Sequence, residues 1–176
     1  CNKCVTKGSF NGAIHGCNNG IIASSVIYGG LLNSLSNDRL FKLVDKFIAV
    51  SDFIKEQHVL GGFPSEKIVV KNNPIDLEKI KPIINKRNRS GIAFVSRISK
   101  AKGTNLLKLL FGRISEPFHV VGDGPELVNL RNYCDRHDYS HVKFWGKLSQ
   151  EECFNIMSKV SCTLIPSQCG EAFSLV

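Results

Sequence analysis

Arg97 and Lys102 are separated only by the run Ile-Ser-Lys-Ala, and Gly103 follows directly. Two long cationic side chains leaving one short loop can converge on a single anion, and a helix opening at Gly103-Thr104 adds free N–H groups and a positive dipole end. The anion that best fits two cations and a helix start is a phosphate or diphosphate. Two cations near a turn are also the composition of a solvated face. A second set, Cys1, Cys4, His15 and Cys17, has donors for a tetrahedral zinc site. Its first pair has zinc-like spacing, whereas His15 and Cys17 are close for a second pair, and incidental thiols explain the four residues equally. Neither His15 nor His119 suits a general base, the first lying in an irregular stretch and the second inside a strand.

The elements that must position these residues follow from hydrophobic period. Ile92-Ala93-Phe94-Val95 reads as a buried strand, and Leu106, Leu107, Leu109 and Leu110 give the apolar face of a helix. The pattern recurs: Phe118-His119-Val120-Val121 is strand-like, Gly122-Asp123-Gly124 a turn, and Pro125 suits the first position of a helix running to about His137. Residues 142–146 are the next strand. Ser149 to Glu152 is a capping box for a further helix, and residues 162–165 are a fourth strand. Alternating strands and helices with short connections predict an α/β fold, a parallel sheet covered by helices on both faces. The turns at 96–102, 122–124, 146–148 and 166–171 would then leave one edge, where open α/β sheets collect ligands.

In the first half, residues 38–46 read as a helix and 47–50 as a strand. Ser51 caps a helix over 52–60, Gly61-Gly62 ends it, and residues 68–70 form a strand leading into Asn72-Asn73-Pro74-Ile75-Asp76.

Four motifs in this order resemble the donor-binding domain of glycosyltransferase family 4: Val95-Ser96-Arg97 with Lys102-Gly103; Val121 to Glu126; Val142 to Gly146; and Pro166-Ser167 leading to Glu171-Ala172-Phe173-Ser174. The resemblance implies a GT-B fold with two Rossmann-like domains and a retaining enzyme that uses a nucleotide-diphosphate sugar. It divides the chain into 1–76, the end of the N-terminal acceptor-side domain; 77–90, a linker; and 91–176, an incomplete donor-binding domain. It also implies roles. Arg97 and Lys102 would stabilise the leaving diphosphate without a metal or other cofactor, and Glu171 would bind hydroxyls of the donor sugar. Ser96, Gly103, Gly122, Gly124, Gly146, Leu148, Phe173, Ser174 and Leu175 would line the donor site, with the nucleobase held near 145–148. Trp145 reads either as core or as a border of that pocket. A second family Glu would fall at position 179, past Val176.

The net charge is +8, and residues 77–102 hold eight basic residues against Glu78 alone. That excess suits an anionic partner. Nucleic acid is not expected, because no binding motif or basic-aromatic interleaving accompanies the charge. Seven cysteines, an odd number with four of them (Cys134, Cys153, Cys162 and Cys169) inside the repeating pattern, fit a reducing cytoplasm. Residues 16–37 lack charge, but the interspersed Asn, Ser and Gly argue against a spanning helix. Peripheral contact with the inner membrane face remains compatible. The expected protein is part of a glycosyltransferase that takes a UDP- or GDP-sugar to a saccharide or glycolipid acceptor, prone to self-association and inactive at this length. The alternatives are a silent nucleotide-sugar-binding remnant and a related GT-B enzyme such as an epimerase.

Overall fold

The computed structural model describes residues 11–15, 23, 25–27, 30, 42–74, 76 and 89–172. The chain forms two compact units, one of residues 1–74 with 171–175 and one of residues 75–170. Of the expected linker, only Arg89 and Ser90 are among the described residues.

The first unit contains a short helical turn, α1 (Asn11–Ile14), and a βαβ segment made of β1 (Phe47–Ala49), α2 (Asp52–Leu60) and β2 (Ile68–Val70). β1 and β2 pair in parallel with Phe47 opposite Ile68. The local signals behave as the sequence predicts. Ser51 is extended and its hydroxyl accepts from the Ile54 amide at 3.3 Å, satisfying one orphan donor of the helix start. At the other end the Gly61 amide donates to Gln57 O at 3.1 Å. Phe63 then folds back edge-on against Phe47, with ring centroids 5.2 Å apart. Of the helix expected at 38–46, only residues 42–46 are described, and 42 and 43 are helical.

The second unit runs β3 (Ile92–Val95), α3 (Thr104–Phe111), β4 (Phe118–Val121), α4 (Leu127–Arg136), β5 (Val142–Gly146), α5 (Gln150–Lys159) and β6 (Cys162–Thr163). All strands are parallel, in the order β5-β4-β3-β6. Parallel strands need crossovers, and right-handed crossovers put α3 and α4 on one face of the sheet. The return from β5 to β6 passes over β3 on the other face, where α5 packs. The core follows from period. Phe94, Phe118 and Val120 alternate onto the first face, and Leu107 with Phe111 and Leu130 with Cys134 repeat every fourth residue on α3 and α4 to meet them. Phe111 and Phe118 meet edge-on at 5.0 Å. Each such side chain contributes about 1.5–3 kcal/mol on burial.

Two expected boundaries are corrected. The α4 helix begins at Leu127, and Pro125 and Glu126 form a turn before it; the Glu126 amide donates to Ile98 O at 3.1 Å and ties this segment to the neighbouring loop. The last strand is shorter than 162–165. After Thr163 one more bond, Leu164 N to Ala93 O at 2.8 Å, continues the pairing, and Pro166 has no N–H to extend it. The capping box at α5 is present as expected: Ser149 Oγ accepts from Glu152 N at 3.3 Å, and Glu152 Oε2 accepts from Ser149 N at 2.8 Å. Among the described residues, no helix is long and apolar enough to cross a membrane.

Candidate functional site

The four loops that leave the carboxyl ends of β3, β4, β5 and β6 make the candidate site. Strand order adds what sequence period does not supply. The chain steps outward from β3 to β4 to β5, then returns to the opposite side of β3 with β6. The reversal therefore lies between β3 and β6, and ligands of open α/β sheets bind outside the carboxyl ends at such a reversal. The loop that follows β3 there is residues 96–103, which carries Arg97 and Lys102.

Hydrogen bonds zip the loops together. Ser96 N donates to Val121 O (3.0 Å), Ile98 N to Asp123 O (2.9 Å), Gly122 N to Gly146 O (2.8 Å) and Gln168 N to Ala101 O (2.8 Å). Such bonds satisfy backbone polar groups that loops otherwise leave to water, and they tie the four loops to one another. Arg97 is exposed, and Lys102 is half-buried in a single 3-10 turn, Lys100–Lys102. From Arg89 through Ser115 the chain has six basic residues and no carboxylate; Asp123 and Glu126 adjoin the loop through their backbone bonds to Ile98.

The glycines of the expected site divide by cause. Gly122 and Gly124 have φ of +130° and +157°, and a Cβ at either would run into backbone oxygen, that of Ser96 or Ile98 respectively. Gly103, with φ +84°, is crowded in the same way by Pro166 O. These three positions are glycine because adjacent loops pass too close for a side chain. Gly146, at φ +71°, has open space where a Cβ would sit, so the turn conformation alone favours glycine there. Leu148 is half-buried in the turn after β5.

Glu171 belongs with the first unit, where the Ser51 hydroxyl donates to Ala172 O at 2.7 Å; Arg97 and Lys102 belong with the second. Phe173, Ser174 and Leu175 lie outside the described residues, as do Cys1, Cys4 and Cys17 of the zinc set, which leaves His15. Among the described residues no group of His, Cys, Asp and Glu gathers as a metal site. Cys134, Cys153, Cys162 and Cys169 are free thiols, and burial pushes the Cys134 thiol up to about 11.

One arrangement depends on strand register and goes beyond what the sequence predicts. On the face of the sheet opposite α3 and α4, the Trp145 indole N–H donates to His119 Nδ1 at 3.0 Å, and Lys143 Nζ lies 4.0 Å from the Trp145 ring centroid. Trp145 is therefore neither core nor a free surface side chain. The equal parity of His119, Lys143 and Trp145 is visible in the sequence; the register that sets His119 opposite Lys143 is not.

A βαβ unit and a parallel sheet that reverses beside its cation-bearing loop define an α/β protein of GT-B type. The chain belongs to the family of glycosyl transferases group 1, whose model matches residues 76–176. A curated relative from Methanocaldococcus jannaschii, described as an uncharacterized glycosyltransferase, is 28% identical over 150 residues, covering 83% of this chain and 41% of its own length. Among solved structures, Anabaena HepE in complex with UDP-glucose matches 97% of this chain and 53% of its own, at 18% identity and a TM-score of 0.66. A glycosyltransferase from Rickettsia africae matches 80% of this chain and 43% of its own, at 20% identity and a TM-score of 0.64. The chain thus spans about two-fifths of the curated relative it matches.

Proposed function

We propose that this chain carries the donor-binding edge of a family 4 type, retaining glycosyltransferase that moves a hexosyl group from a UDP- or GDP-sugar to a saccharide or lipid-linked acceptor. The observation that carries the reading is the pair Arg97 and Lys102 on the loop beside the sheet reversal, in a segment free of carboxylates. The UDP-glucose bound to Anabaena HepE supports the donor class.

The chemistry asks little else of this edge. As the bond between anomeric carbon and diphosphate oxygen breaks, its electron pair and negative charge pass to the diphosphate. Fixed cations in a loop tied to its neighbours stabilise that charge without reorganising, and here they take the role a divalent metal plays elsewhere. The acceptor oxygen bonds the anomeric carbon from the same face, and its proton leaves to the diphosphate oxygen. In this reading Glu171 holds donor-sugar hydroxyls and the 146–148 turn takes the nucleobase. In this reading the enzyme is cytoplasmic, with peripheral contact at the inner face of the membrane where the acceptor is lipid-linked.

Calorimetric titration with UDP, GDP and their sugars tests the reading. One nucleotide should bind, and Arg97→Ala or Lys102→Ala should each weaken it by about tenfold or more, the worth of a charged hydrogen bond. A folded chain whose two variants bind as tightly as the parent would refute the assignment.

A further inference from the structure

The β5 strand is an edge of its sheet and ends at Gly146, whose carbonyl accepts from Gly122 N. The register with β4 slips between Val120 and Val121, so that Gly146 rather than Trp145 stands opposite Val121. Trp145 is the residue that ends the regular pairing and opens the 146–148 turn, and it is 37% exposed. Among the described residues β5 pairs with β4 alone, so its other side presents unpaired backbone groups. Beside the Gly122 N to Gly146 O bond, a side-chain clasp ties this end across the sheet face: indole N–H to His119 Nδ1, with the rings 5.8 Å apart and Lys143 over the indole.

The clasp has a fixed proton requirement. An indole nitrogen only donates, so His119 Nδ1 must offer a lone pair, which makes the ring neutral with its hydrogen on Nε2. A proton on Nδ1 turns two partners into two opposed donors. We infer that Trp145 and His119 form a proton-gated latch that holds the 146–148 turn, closed when the histidine is neutral and released when it is charged. Resting on the proposed donor site, this makes both of them positioning residues for the nucleobase, with the grip on nucleotide loosening in acid.

The surroundings favour the closed state near neutrality. Burial, then the charge of Lys143, lowers the His119 pKa below its ordinary 6.5. β3, on the other side of β4, presents Ala93 at the matching register position, and Lys143 is the charged group acting on His119 among the described residues. The latch should therefore open only as pH falls below about 6.5.

Trp145 is the one tryptophan of the chain, so intrinsic emission reports the latch directly. Over pH 8 to about 4.5, with circular dichroism confirming the fold, emission should change with a midpoint below 6.5. In His119→Gln, whose amide oxygen accepts without titrating, that transition should be absent. Amide exchange at residues 146–148, compared between parent and variant at each pH, should show protection lost in acid only in the parent. Affinity for whichever of UDP and GDP binds should fall about fivefold over the same span in the parent and stay flat in His119→Gln, while Trp145→Phe should be weak throughout. Emission or exchange that titrates identically in parent and His119→Gln overturns the latch whatever the nucleotide does. A titrating turn in a chain that binds neither UDP nor GDP at any pH would instead refute the donor assignment and leave the latch supported.

Discussion

Replacing Gly122 by alanine separates a glycine kept for loop packing from one kept for a turn. At Gly122 two costs combine. The φ of +130° is one that L side chains rarely adopt, a strain of about 1–3 kcal/mol. The new methyl also meets the Ser96 carbonyl oxygen, which is backbone and cannot swing aside. Relief requires the 96–98 segment to retreat, which strains the bonds from Ser96 N to Val121 O and Ile98 N to Asp123 O, each worth about 1 kcal/mol. The sum is about 3–5 kcal/mol. Gly146→Ala meets nothing within 4 Å and keeps only the left-handed penalty, about 1–2 kcal/mol. Urea unfolding followed by far-ultraviolet dichroism should therefore put Gly122→Ala well below Gly146→Ala in midpoint. Equal midpoints, or the reverse order, would refute the claim that loop contact rather than turn geometry selects Gly122.

Ser149→Ala removes the hydroxyl half of the capping box and should cost about 1 kcal/mol at neutral pH. Hydrogen bonds from Ser149 lower the Glu152 pKa, so stability from the box is present above the unfolded carboxylate value; the gap between parent and variant should narrow as pH falls through the lowered folded one, as urea midpoints will report. Leu107→Ala opens a cavity between α3 and the sheet and should lose about 2–5 kcal/mol in the same assay. A thiol reagent at pH 8 should label exposed Cys162 and Cys169 quickly and buried Cys134 only after unfolding, read by mass spectrometry.

Much of the second unit was legible because its signals are local. Ile92 to Val95 is four apolar residues closed by polar ones, and the Ser149 to Glu152 box declares its own helix start. What failed were features decided elsewhere in the chain. Pro125 is permitted at a helix start, yet it stands with Glu126 in a turn tied to Ile98 O, and the helix begins at Leu127. The strand after α5 is cut short by Pro166. The site loop was legible as two cations at a strand end. Its place at the reversal was not, since strand order depends on where β6 docks. Gly122 and Gly124 read equally as turn or cradle until the carbonyls of Ser96 and Ile98 come into view. The clasp of Trp145 on His119 needed the register of β5 on β4.

The strand that closes the reversal is made after the three others described in its sheet. Gly103 packs against Pro166, and β3 gains its second neighbour from β6, so α3, β4, α4, β5 and α5 must all leave the ribosome before the Lys102 turn finds its wall. Pairings this distant in sequence form slowly, since the intervening chain must be gathered before any contact rewards it. During synthesis β3 is an open edge beside its own cationic loop. In that interval it depends on chaperones or on quick docking of β4 to escape association with another nascent chain.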